Sequence, residues 1–141
     1  MKVYYAHCIA LYGSPQELRD LVMLQDLFRG AEIINPADRM WEDRCQLERE
    51  TVRRYNLAYP ETPKDASHEI MEKVFKPLAT WQTHALAFRA LPDGRIPAGV
   101  GREVQWAVEY GNPVIELPSN LMGRGMTVDQ TRAYLREVGQ R

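Results

Sequence analysis

The chain has 141 residues, of which 45% are hydrophobic, 26% charged and 9% aromatic. That apolar share excludes disorder as the main state and predicts one domain over residues 1–141 with a core of its own. Lys+Arg 18 against Asp+Glu 19 leaves a formal charge of −1, which removes any global electrostatic case for a nucleic-acid partner. No apolar run approaches the roughly 18 residues that span a bilayer, so no membrane partner is expected.

The opening Met1-Lys2-Val3-Tyr4-Tyr5 reads as a strand and lacks the long apolar region of a secretory signal. Cys8 and Cys45 are the only cysteines, there are three histidines, and neither C-x-x-C nor H-E-x-x-H occurs. The expectation is a cytoplasmic protein with no disulfide framework, no metal and no cofactor.

In chain order, residues 2–11 begin as a first strand. Ser14, Pro15 and Glu17 have the spacing of N-cap, N1 and N3 in a capping box, so a helix is predicted to start there. Its stripe would be Leu18, Leu21, Val22, Gln25 and Phe28, widened by Leu24 and Leu27, with Gly30 at its end. Residues 31–35 form a second strand stopped by Pro36. Eight of the fourteen residues 41–54 are charged, four of each sign. Such a run reads as a solvated helix face or, more sharply, as a subunit contact or a lid. A loop follows at 55–64, and the charged helix and loop make an insertion around 41–64.

A further helix is predicted from Asp65 or Ser67, burying Met71, Val74, Phe75 and Leu78 and bent or shortened by Pro77. Thr83 to Leu91 is the third strand. A helix over about 100–110 buries Val100, Val104, Ala107 and Val108 and ends at Gly111, before a fourth strand over 114–117. Thr127 and Gln130 form a second capping box, opening a terminal helix expected to bury Val128, Leu135 and Val138. Trp81 and Trp106 are assigned to core or interface.

Strands separated by helices imply an α/β sandwich of three layers on a parallel sheet of about four strands. Right-handed crossovers favour the order 2-1-3-4. Winding then reverses between strands 1 and 3, and ligands of open α/β sheets sit beyond the strand ends at that point. The site is therefore expected at residues 7–14 and 88–103.

From the first segment come His7, Cys8, Gly13 and Ser14, the last two in a turn whose free N–H groups either hold a phosphate or simply cap the helix. His7 is a backbone-bonded strand end or a ligand contact, and Cys8 a small buried residue or a pocket residue. The second segment offers Phe88, Arg89, Asp93, Arg95, Gly99, Arg102 and Glu103. Arg89 and Arg102 are the leading phosphate candidates. Glu103 lies about 40° round the helix from Ala107, at roughly 100° per residue, and so borders the buried stripe. Read as a first-turn residue, it would be kept ionised by the helix dipole. An ionised carboxylate there suits a nucleophile or the cradling of a cationic sugar-like transition state.

The stretch from Gly99 to Glu103, its small-residue helix and Gly111-Asn112-Pro113-Val114-Ile115 resemble the nucleoside 2-deoxyribosyltransferase superfamily. That superfamily carries D-x-G-T-x-x-E, a small-residue helix and then G-K-P-V-I. Val3-Tyr4-Tyr5-Ala6 is similar to its first strand, I-Y-L-A-G-P. The two stretches cover a minor part of the chain, in the family's order. The resemblance implies a small flavodoxin-like domain that cleaves or transfers the N-glycosidic bond of a (deoxy)nucleoside or nucleoside 5′-monophosphate. Glu103 would be the nucleophile, Tyr4 a site tyrosine, and Asp93 the aspartate that orients the base.

The chain departs from the pattern at Pro97, Val100 and His7-Cys8, where the family has the aspartate, the threonine and G-P. Those departures keep a non-catalytic nucleotide or ADP-ribose-type binding module as the alternative. The added arginines suit a phosphorylated substrate, as in the monophosphate N-glycosidase branch. The resemblance also implies a homodimer or larger homo-oligomer, with residues 121–125 as the segment that reaches across.

Overall fold

A computed structural model describes residues 1–119 and 121–140, the side chains of Leu121 and Met122 excepted. Four strands, β1 (Lys2–Ala6), β2 (Glu32–Ile34), β3 (Ala85–Phe88) and β4 (Val114–Glu116), form one parallel sheet in the order β2-β1-β3-β4. Val3 stands opposite both Ile33 and Ala85, and Ala87 opposite Ile115. With helices on both faces this is the expected three-layer, flavodoxin-like α/β fold. The central strands read Val-Tyr-Tyr-Ala and Ala-Leu-Ala-Phe because both faces are covered, and all eight residues are buried.

The period of two along each strand divides the core. Tyr4, Ala6, Leu86 and Phe88 pack with Val100 and Ala107 on one face, and Val3, Tyr5, Ala85 and Ala87 pack with Leu24 and Leu117 on the other.

Helix α1 (Pro15–Leu27) starts at Ser14, whose hydroxyl accepts the Glu17 N–H at 3.2 Å. The capping box is only half made. The Glu17 carboxylate turns away to the Gly13 N–H and to His7. The buried stripe is also rotated from the predicted one, since Glu17, Asp20 and Leu24 face inward while Leu18, Val22, Leu27 and Gln25 face solvent. Polar residues take the inner face because partners wait there: Arg89 and Tyr5 for Asp20, His7 for Glu17.

Helix α2 (Arg39–Ala58) is longer than the charged run, and four residues expected in the loop continue it. Only Cys45 and Val52, seven residues apart on one face, are buried. That face packs on α3 (Ala66–Ile70) and on a π-helical turn, Met71–Phe75, that leads into α4 (Lys76–Ala79). Pro77 stands two residues beyond the widened turn, has no N–H and crowds the carbonyl four residues back, that of Lys73 within the turn. β3 is shorter than the predicted Thr83–Leu91. Before it, the Asn112 amide donates to the carbonyls of Thr80, Ala79 and Thr83, and the Thr83 hydroxyl donates to Leu78 O at 2.6 Å.

Helix α5 (Ala98–Tyr110) begins two residues earlier than predicted and stops at Gly111, whose φ of +98° only glycine adopts freely. Helix α6 (Val128–Glu137) has the complete Thr127–Gln130 capping box. Its expected burial is absent: Val128 and Val138 are exposed, Leu135 is half-buried, and no residue of the helix is buried. A capping box fixes where a helix begins, whereas coverage of its face depends on what packs there, and the described residues leave α6 largely uncovered. Trp81, assigned to core or interface, is 64% exposed on this chain.

Candidate functional site

β1 ends at Ala6, and the chain then turns through His7 and Cys8 into a short 3₁₀ turn, Ile9–Leu11. α5 starts at Ala98, beyond the end of β3. Between these two segments, where the winding of the sheet changes sense, lies a cavity of about 640 Å³. Its walls are His7, Cys8 and Tyr12 after β1, Gly99, Val100 and Glu103 on α5, and Glu42, Cys45 and Arg49 on α2. Pro36, Ile70, Phe75 and Pro97 complete an otherwise apolar lining. The volume falls within the range of small-molecule sites, about 300–1,000 Å³.

Glu103 is 6% exposed, yet it lines this cavity, and its Oε2 has no hydrogen-bond partner among the described residues. A buried carboxyl oxygen without a partner is costly, and the cost falls on the ionised form. Burial accordingly pushes the Glu103 carboxyl up to about 8, against a partial offset from hydrogen bonding by the Tyr4 hydroxyl. The expected ionisation by the helix dipole is not realised. With α5 starting at Ala98, Glu103 lies in the second turn, past the free N–H groups that carry the effect. At neutral pH Glu103 is a carboxylic acid able to give a proton. Tyr4 is buried beneath it, its phenol raised well above the ordinary value by burial first and by Glu103 second. Tyr12, at the cavity wall, is shifted upward for the same reasons.

His7 is bonded to the backbone at the strand end and also lines the cavity. Its Nδ1 donates to the Tyr5 carbonyl at 3.2 Å, and Nε2 meets Glu17 Oε2 at 2.6 Å, so both ring nitrogens are committed. The ring stacks on Tyr5 at 3.9 Å, tilts against Tyr12 and walls the cavity. It shapes the pocket and has no free nitrogen for proton transfer.

Arg89, a phosphate candidate in the sequence, is engaged within the chain and does not line the cavity. It is 5% exposed, gives Nε to Asp20 Oδ2 at 2.9 Å and Nη2 to Oδ1, and donates Nη1 to the Pro118 carbonyl. The Tyr5 hydroxyl also donates to Asp20 Oδ2. Burial alone would raise Asp20, but these donors overrule it and hold the carboxyl below its ordinary value. The cluster ties β1, β3, α1 and the segment after β4 together through one buried ion pair.

The remaining expected residues divide. Cys8 and Gly99 line the cavity, and Phe88 is buried in the core beneath it. Gly13 and Ser14 serve the α1 cap and are not among the cavity's walls. Arg102 is exposed on α5 and does not line it. Asp93 is also outside, exposed in a turn where it accepts from the Arg95 N–H and Nε. In the segment 121–125, Arg124 folds back on its own chain, donating to Glu116 and Ser119. The side chains of Leu121 and Met122 lie outside the described residues.

The charged run reads from sequence as a solvated face, a subunit contact or a lid, with none of its residues named for the site, yet Glu42, Cys45 and Arg49 wall the cavity. The signal lies in their spacing: Glu42, Cys45 and Arg49 recur at i, i+3 and i+7, and Cys45 and Val52 mark the inward face. Among the described residues no cluster of three or more His, Cys, Asp or Glu side chains could hold a metal ion, and no helix is long and apolar enough to cross a membrane. No protein-family model, no curated protein and no solved structure matches this chain.

Proposed function

We propose that this cavity takes a (deoxy)nucleoside or nucleoside 5′-monophosphate and that Glu103 assists cleavage or transfer of its N-glycosidic bond. One observation carries the reading: a buried carboxyl with an unpartnered oxygen faces a nucleoside-sized cavity at the switch point of the sheet. The resemblance around Glu103 and Tyr4 points to the same bond.

The raised Glu103 changes the role drawn from the sequence. Its proton passes to a ring nitrogen of the leaving base while the C1′–N bond breaks and the bonding pair goes to the base. The carboxylate so formed then faces the cationic sugar in a water-poor wall, where its charge stabilises most. Addition of water at C1′, or of a second base, completes hydrolysis or transfer, and the released proton returns to Glu103. Tyr4 holds the carboxyl from beneath as it changes charge.

The test is release of free base from a panel of nucleosides and 5′-monophosphates, followed by HPLC. Glu103→Gln should lower the rate about a thousandfold, within the usual range for losing a positioned acid, with binding retained. In the wild type the rate should fall as pH rises through about 8, as the proton is lost. A rate that climbs with pH would assign Glu103 as a nucleophile, and no base from any substrate would end the reading. Pro97, standing where the resembled family has its aspartate, favours the second reading, a binding module. A thermal shift with nucleotide but no base release would establish that one.

A further inference from the structure

We infer that the ligand of the Glu103 cavity carries more than one phosphate, and that Arg49, Arg53 and Lys64 receive them along the outer face of α2. The inference rests on the nucleoside reading of the cavity and adds the class of nucleotide. A second depression, of about 380 Å³, opens beside the first, and Arg49 lines both. Helix geometry explains the continuity. Residues 42, 45 and 49 face the main cavity, and 49, 52, 53 and 56 continue the same face one turn further.

The polarity changes along that path. The main cavity is walled by two carboxyl groups, Glu42 and Glu103, whereas the outer groove is lined by Arg49, Arg53 and Lys64 and by no carboxylate. The outer groove is therefore the cationic end of the path, and an anion is drawn there. Among the described residues Arg49 has no carboxylate partner; its Nη1 donates to the Gln46 amide oxygen at 3.2 Å, leaving most of its donor fork open. Arg53 is held by Glu50 at 3.0 and 3.2 Å, through Nη2 and Nε, with Nη1 unused.

Lys64 is fixed from two sides. Its backbone N–H donates to Asn56 Oδ1 at 2.8 Å and its carbonyl accepts from Asn56 Nδ2 at 3.0 Å. Its ammonium lies 4.2 Å over the Tyr55 ring, which places the charge without neutralising it. Meanwhile the arginines that the sequence offered for phosphate are engaged or elsewhere: Arg89 with Asp20, Arg95 with Asp93, Arg102 outside the cavity. No aromatic residue lines the groove, so it lacks the stacking platform that single-stranded nucleic acid uses. A nucleoside diphosphate or pyrophosphate-linked nucleotide fits this polarity.

Calorimetric titration at low salt of the full chain with a nucleoside, its 5′-monophosphate, its 5′-diphosphate and inorganic pyrophosphate tests this. Affinity should rise about tenfold with the first phosphate and severalfold more with the second, as charge-assisted contacts predict. Arg49→Gln should collapse the ratio of monophosphate to nucleoside affinity toward one. Arg53→Gln and Lys64→Gln should remove the gain from the second phosphate, and exposed Arg54→Gln, outside both cavities, should leave the series unchanged.

The inference fails if phosphates add no affinity, if the gain survives all three substitutions, if a single-stranded oligonucleotide binds tighter than the diphosphate, or if no probe binds. Phosphate-dependent binding without base release would sustain it while ending the glycosidic reading. Base release indifferent to phosphate would do the reverse.

Discussion

Glu103→Gln should convert a pH-dependent stability into a flat one. The native carboxyl sits at about 8, while an unfolded glutamate has its ordinary value of 4.5. The folded state therefore holds its proton longer than the unfolded chain does. Below about pH 4.5 both states are protonated and nothing is lost. As pH rises from there to about 8 the unfolded chain ionises first, and stability falls by up to about 1.4 kcal/mol per pH unit. By pH 7 the accumulated penalty is on the order of 3 kcal/mol.

Glutamine keeps the volume and the donor–acceptor pattern of the protonated acid but cannot ionise. The variant and wild type should thus match within about 1 kcal/mol at pH 5. At pH 8 the variant should be more stable by about 4 kcal/mol, roughly 13 °C in melting temperature for a chain of this size. Urea unfolding followed by circular dichroism from pH 5 to 8.5 measures the difference. A gap between the two proteins that does not change with pH would refute the buried, protonated Glu103 on which the proposed chemistry depends.

Three further outcomes follow from the packing. Arg89→Leu strips Asp20 of its cation while leaving it buried, which should cost about 3–5 kcal/mol in urea unfolding; a loss below 1 kcal/mol would show that the pair is not holding the strand ends. Thr127→Ala should destabilise α6 by about 1 kcal/mol and speed exchange of its amides. Because no residue of that helix is buried, the global unfolding midpoint should stay where it is, and a shifted midpoint would mean that α6 packs on something. Burial pushes the Cys45 thiol up, so iodoacetamide at pH 8 should label Cys45 more slowly than half-buried Cys8, a rate order readable by mass spectrometry and refuted by its inversion.

What was legible in the chain was its local chemistry. Apolar β-rich runs and glycine or proline stops located four strands, the helices between them implied parallel pairing, and right-handed crossovers favoured the order found. That order placed the cavity at the strand ends before any contact was known. Capping residues Ser14 and Thr127 and the αL position at Gly111 likewise act within a few residues, and each marks a helix end in the structure.

Side-chain partners were not legible, because they depend on which distant residues the fold brings together. Arg89 and Asp20 lie 69 residues apart, and their pairing turns a phosphate candidate into a structural ion pair. It also rotates α1 so that a polar face is buried and Leu18 and Val22 are left outside. Position on α5 placed Glu103 beside the buried stripe. Only the surrounding walls, α2 among them, removed enough water to push its carboxyl up to about 8, where position on the helix alone predicts an ionised group. Sequence alone determined where the backbone turns and which way the sheet winds, because those are decided by neighbours along the chain. The charge on each site residue was decided by the tertiary structure, because desolvation and ion pairing depend on everything that packs around it.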